Sequence, residues 1–238
     1  MDDLERSSHP DVREAEPGRM RHAPRETLPR HLHDHAFAAV VLAGGYVEAG
    51  DTGRHWMEAG DVLLHRAWES HLDRFGRRGA EVLVLEIGDQ DPCWGDMRWL
   101  SGHVADPDAL ARLAEHDPAQ AARRMLAELK PKPDRPADWP DHLAQALNDD
   151  PALSLGAWAQ ARGLHLGSVS RGFRQVFGTT PVAFRLVQRT RRAIEAVRGS
   201  AEPLSLVAQD CGFADQAHMS RAIQRLARTT PAALRRAA

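Results

Sequence analysis

Two kinds of residue in this 238-residue chain are placed to do chemistry. The first is histidine. "RHLHDHAF" sets His31, His33 and His35 at alternate positions, and His71 follows in "GDVLLHRAWESHLDRF". A neutral imidazole offers a lone-pair nitrogen to Zn²⁺, Ni²⁺, Cu²⁺ or Fe²⁺. Such a cluster could hold a divalent metal, line a pocket for a small-molecule effector, or pack as polar groups inside a barrel. The second is arginine in a repeated phrase. "SRGFRQVFGTTPVAFR" starts at Ser170 and "SRAIQRLARTTPAALR" at Ser220; Ser-Arg, Thr-Thr-Pro and a closing Arg recur at an offset of 50. The Arg fork can donate two hydrogen bonds to guanine O6 and N7. Arg171 and Arg221 are therefore candidate base readers.

Histidines at alternate positions converge only if they lie on a strand, where every second side chain points to one face. Between Arg30 and Gly88 the runs "FAAVVLAGG", "DVLLH", "SHLDRF" and "AEVLVLEIG" are short and broken by Gly and Asp turns. That pattern predicts an all-β sandwich or barrel over residues 29–102. Residues 1–28 are polar and rich in Pro and Gly, and read as a mostly disordered tail with room for one edge strand. Residues 103–137 carry two Ala/Leu-rich helical patterns that start at Asp106-Pro107 and Asp117-Pro118, a cap followed by Pro at the first helical position. We read them as a helical dimerisation and linker region ending in the Pro-rich "KPKPDRPADWP".

The repeated Arg needs helices. Residues 138–238 read as all helix, in about seven segments: 139–148, 155–162, 166–177, 181–198, 204–210, 216–227 and 232–236. Ser154, Thr180, Asp215 and Thr230 are the predicted caps. Ala159, Gln160 and Gly163 recur as Ala208, Gln209 and Gly212. Each unit is then a short helix with a small residue inside, a Gly end, a turn and a longer helix, which is the layout of a helix-turn-helix. The longer helix can lie in a DNA major groove. Ser168, Ser170 and Arg171 in the first unit, and Gln216, His218, Ser220 and Arg221 in the second, would face bases. Arg174 and Arg225 suit phosphates. The 181–198 helix would hold the two units apart.

Charge agrees with a polyanion partner for one half only. Residues 138–238 hold 13 Arg, no Lys and 8 acidic residues, against a net −2 for the whole chain. Only Cys93 and Cys211 are present, so no disulfide scaffold is expected and a cytoplasmic setting is the default. The charged opening residues lack the apolar run of a secretory signal, and no apolar stretch is long enough to span a membrane.

At this point the chain resembles the AraC/XylS family of bacterial transcription regulators. "WAQARGLHLGSVSRGFRQVFGTTPVAF" follows the pattern LAxxxGLxxxxxSRxFRxxFGxxPxxF, and "LVAQDCGFADQAHMSRAIQRLARTTPAALR" is close to the second unit's signature. The resemblance covers Trp139 to Arg236. It implies a double helix-turn-helix that binds double-stranded promoter DNA, a regulator that is not an enzyme, an activator more often than a repressor, a homodimer, and RNA polymerase as a further candidate partner. The second unit departs from the pattern: Ala227-Arg228 stands where the first has Phe177-Gly178. The first has Gly167 and Gly172 in its longer helix. We therefore expect a thinner reading face in the first unit and a looser scaffold in the second. The stretch from His31 to His71 resembles the cupin fold's two motifs, which implies a sensor domain. Cupins often bind a divalent metal through three His and one Glu; here Phe37 takes the Glu position, and Arg66 and Trp68 replace the usual Pro and Gly. A metal-dependent cupin enzyme fused to a helical module is the alternative reading.

Overall fold

The computed structural model describes residues 10–13, 15–88, 91, 94, 100–132, 135, 137–150 and 152–237. It divides into a sheet unit, residues 11–50 and 54–136, and a helical unit containing residues 137–238. Among the described residues no helix is long and apolar enough to cross a membrane.

The sheet unit is built from β1 (Asp11–Val12), β2 (Gly18–His22), β3 (Thr27–Leu32), β4 (Phe37–Gly50), β5 (Gly53–Glu58), β6 (Asp61–His65), β7 (Ser70–Glu86), β8 (Ser101–His103) and β9 (Lys130–Pro131). All nine belong to one sheet of order β1-β3-β7-β4-β6-β8-β9, with β2 added to β7 and β5 to β4. The two long strands bend. The register of β4 against β7 slips between Val41 and Ala43 and again between Gly44 and Tyr46. Gly44 has φ +73°, and a Cβ there would stand 2.1 Å from the Gly79 carbonyl oxygen, so only glycine allows this approach. Both halves of the bent sheet then share one inner core, in which Phe37, Ala39, Leu63, Val82 and Val84 meet Tyr46, Met57 and Phe75.

The outer face is covered as well. Ala38, Val40, Val62, Leu64, Leu83 and Leu85 point the other way and pack under α1 (Pro107–Ala114) and α2 (Pro118–Glu128) through Leu110, Ala111, Ala121, Ala122 and Met125. Burial on both faces explains the unbroken apolar run of "FAAVV". Asp106 and Asp117 accept from the Ala109 and Gln120 N–H groups at 2.8 Å, each ahead of a Pro at the start of its helix.

Two features differ from expectation. Residues 11–28, read as part of a mostly disordered tail, contribute β1, β2 and the start of β3. β2 is held by backbone pairing with Gly18–His22 opposite 80–84, and "GRMRH" carries almost no apolar signal of that. Residues 1–9, and Cys93, lie outside the described residues. The segment 103–137 is not a free-standing linker: α1 and α2 complete the core of the sheet unit, and Lys130-Pro131 pairs with β8. Lys132 continues that attachment, donating to the Trp56 carbonyl at 2.7 Å and to the Asp61 carboxylate.

The helical unit comprises α3 (Trp139–Asp149), α4 (Leu155–Gln160), α5 (Leu166–Phe177), α6 (Pro181–Gly199), α7 (Leu204–Asp210), α8 (Gln216–Ala227) and α9 (Pro231–Ala237). Its four predicted caps form; α5 is capped by His165, which the sequence does not single out. Ser154, Thr180, Asp215 and Thr230 accept from Ala157, Ala183, His218 and Ala233 N–H groups. Phe173, Phe177 and Phe184 are fully buried and stack together, with centroids 4.4 Å apart for the first pair and 5.2 Å between Phe173 and Phe184.

Candidate nucleic-acid interface and histidine cluster

The two repeats fold alike. α4 and α7 each end on a left-handed glycine, Gly163 at φ +64° and Gly212 at φ +76°. The next residue's N–H reaches back to the buried Ala: Leu164 to the Ala159 carbonyl at 2.9 Å, Phe213 to the Ala208 carbonyl at 2.8 Å. That closure is a Schellman-type stop, and it ends both short helices in the same way ahead of α5 and α8. Val169 and Phe173 of α5 and Met219, Ala222, Ile223 and Leu226 of α8 face inward.

What remains outward is polar. Ser168, Arg171 and Arg174 on α5 are exposed and Ser170 is half-buried. On α8, Gln216, Arg221 and Arg225 are exposed, while His218 and Ser220 are half-buried. His218 lies edge-on to Phe213 at 5.3 Å, so part of its ring serves packing. Arg171 reaches Ser168 Oγ at 3.5 Å, an exposed and weak tether. Gly172 does not lie on this face. A Cβ there would stand 2.6 Å from Cζ2 of Trp139, and the matching Ala222 is buried. The expectation that Gly172 thins the reading surface is corrected: it is a packing glycine. Gly167 is the glycine near that surface, its Cβ direction lying 3.6 Å from Arg171 Nη1. Sequence reading passed over Leu166, 46% exposed at the position matching Gln216.

The second unit's cap is strained as its sequence implies. Gly178 closes α5 at φ +71°, and Arg228 is forced to φ +53° at the same point of α8. Ala227 leaves that core without the ring that Phe177 supplies in the first.

In the sheet unit, strand register gathers histidines that sequence spacing leaves apart. His31 pairs with His71 across β3 and β7, and Phe37 with His65 across β4 and β6. Ring centroids lie 4.3 Å apart for His31–His71, 4.7 Å for His65–His71 and 5.3 Å for His33–His71, and Phe37 stacks on His65 at 4.4 Å. All four histidines are buried, as are Glu48 and Asp73. His35 stands aside: β3 ends at Leu32, and its Nδ1 lies 3.0 Å from Asp34 Oδ1. His65, which the spacing does not single out, and Glu48 take its place in the cluster. Trp68, at the motif's glycine position, does adopt a positive φ of 66°, and its N–H donates to the His33 carbonyl at 2.7 Å.

Burial sets the protonation states. It pushes His31 and His33 down to about 4, and His65 and His71 well below the ordinary range. The same burial, with Asp73 beside it, raises Glu48 well above a normal carboxyl; Asp73 is raised to about 7. His31 Nδ1 donates to the Pro29 carbonyl at 2.9 Å and His33 Nδ1 to the Arg13 carbonyl at 2.8 Å. A carbonyl only accepts, so each neutral ring keeps its lone pair on Nε2. Backbone contacts of this kind fix the ligand tautomer at metal sites. Ligand atoms of His31, His33 and His71 all lie within 4.8 Å of one another. This donor set fits a divalent d-block cation, and these three residues would hold it.

Residues 158–237 match a family model described as a helix-turn-helix domain. A search of curated proteins finds no match. Among solved structures, fatty-acid-bound ToxT from Vibrio cholerae is 11% identical, with TM-score 0.41, over 93% of this chain and 96% of its own. The DNA-binding domain of AdpA in complex with a target DNA is 24% identical, with TM-score 0.39, over 42% and 93%. An AraC-type regulator from Chromobacterium violaceum is 23% identical, with TM-score 0.37, over 40% and 86%. Those likenesses are low, and the domain match carries the assignment: residues 158–237 form a helix-turn-helix domain.

Proposed function

We propose that α5 and α8 enter successive major grooves on one side of a promoter. Arg171 and Arg221 read bases there, supported by Ser168 and Ser170 in the first unit and Gln216, His218 and Ser220 in the second. Arg174 and Arg225 hold phosphates. The supporting observation is that two identically closed helix-turn-helix units expose an Arg at the same position of the longer helix. α6, 19 residues and about 28 Å long, is a spacer of the right order for one turn of DNA, about 34 Å. With Gly172 turned inward, the two reading faces are closer to equal than their sequences suggest; the second, with Gln216 and His218, still carries more base-directed polar groups.

In the same reading the sheet unit is the sensor. A small effector, or a metal at His31, His33 and His71, is the signal, with His35 at the edge of that site. The exposed sides of α1 and α2 join two copies into a homodimer, and the regulator works in the cytoplasm as an activator that touches RNA polymerase. Footprinting the full chain on DNA selected from random sequence tests the core of this account. Two protected stretches one helical turn apart are expected; a single stretch would mean that only one unit docks.

A further inference from the structure

We propose that Glu48, His65 and His71 form a metal-binding triad that takes a divalent d-block cation such as Zn²⁺, Co²⁺ or Ni²⁺. Position 37, where a cupin-like site would place its carboxylate, holds Phe37. A carboxylate is nevertheless present, supplied from further along the same strand. Glu48 Oε2 lies 3.5 Å from His65 Nε2, and the ligand atoms of Glu48, His65 and His71 all fall within 4.8 Å of one another. All three residues are buried.

The unsatisfied atoms point the same way. His71 Nδ1 is buried without a hydrogen-bond partner, and so is Asp73 Oδ1. His71 Nε2 stands 3.7 Å from Asp73 Oδ2, close enough for Asp73 to orient the ring and too far for a good hydrogen bond. A buried polar atom left in this state costs free energy unless something fills the gap. A cation would do so here, taking the lone pairs of the two imidazoles and of Glu48 in its carboxylate form.

Ligand chemistry narrows the cation. Two imidazoles and one carboxylate make a borderline set that suits zinc, cobalt, nickel and iron; calcium and magnesium prefer oxygen alone. The ligands stand on β4, β6 and β7, adjacent strands at the centre of the sheet, so the site is stiff. His71 also belongs to the His31–His33–His71 set. The two sets therefore overlap at one residue, and losing His71 disables both.

The test titrates chelator-treated full-length protein with Co²⁺, read by calorimetry and by the visible absorption of bound cobalt. We expect uptake by the wild type, loss of uptake in His71→Ala, and no change in His116→Ala, an exposed histidine just after α1. Glu48→Gln keeps the shape of the side chain and should weaken Co²⁺ binding at least roughly tenfold, as should His65→Asn. Wild-type Co²⁺ affinity in both Glu48→Gln and His65→Asn would overturn the proposal and leave any ion on His31, His33 and His71. Failure of the wild type to take up Co²⁺ would overturn it too. Neither result touches the DNA-binding reading, which is measured separately on the same preparations.

Discussion

Gly172 of α5 packs against the indole of Trp139 in α3: a Cβ at Gly172 would stand 2.6 Å from Cζ2 and 2.8 Å from Cη2. The first helix-turn-helix unit is thus docked onto α3 through a glycine. Helix propensity alone would favour Ala by about 1 kcal/mol, but overpacking of this kind costs about 1–3 kcal/mol. Gly172→Ala should therefore destabilise the helical unit. The penalty should shrink in a Trp139→Ala background, a coupling that urea unfolding of the four variants in a double-mutant cycle measures.

Arg228 closes α8 in the left-handed region, at φ +53°, where Gly178 closes α5. A side chain with a Cβ costs about 1 kcal/mol or more in that conformation. Arg228→Gly should raise stability by about 1 kcal/mol, seen as a higher urea midpoint at unchanged slope. Gly178→Ala should lower it by a similar amount.

Lys132 ties the chain after β9 to the sheet. Its ammonium meets Asp61, whose carboxylate also accepts from the Glu58 N–H at 2.8 Å and lies 3.2 Å from His103 Nδ1. Lys132→Ala removes the cation from a buried carboxylate, which should cost about 1–3 kcal/mol. Thermal unfolding of the sheet unit should then begin earlier than in the wild type.

The buried histidines make the metal-free sheet unit acid-sensitive. His31 and His33 titrate at about 4 in the fold and at about 6.5 when exposed, because burial disfavours the imidazolium. Between those values the unfolded chain binds the extra protons, so stability is full above about 6.5 and is lost as pH falls toward 4. His65 and His71 act in the same sense; Asp73 and Glu48, raised by burial, oppose them. Four imidazoles outnumber two carboxyls. Unfolding temperatures in the presence of a chelator should fall from pH 7 to pH 5, and the fall should lessen in His31→Asn.

Much of the helical unit is legible in its sequence because its signals are local. Thr180-Pro181 and Thr230-Pro231 mark helix starts through contacts three residues long, and Gly163 and Gly212 mark stops. The inward turn of Gly172 is not legible, because it depends on Trp139, more than thirty residues away. The sheet unit is harder for the same reason. His31, His33 and His71 are visible by motif, whereas Glu48 and His65 join them only through strand register: Phe37 opposite His65, and Glu48 opposite Asp73. Register also explains β2, whose place depends on the backbone of β7 rather than on its own side chains.

The central claim is that both units read bases through the matched arginines. Its most direct test is the affinity of wild type, Arg171→Ala and Arg221→Ala for one selected duplex and for duplexes with single base-pair changes, at fixed salt. Each substitution should cost about 1–3 kcal/mol on the selected site and relax discrimination at its own base pair, with the larger loss of discrimination for Arg221→Ala. Unchanged specific affinity in both variants would contradict the account.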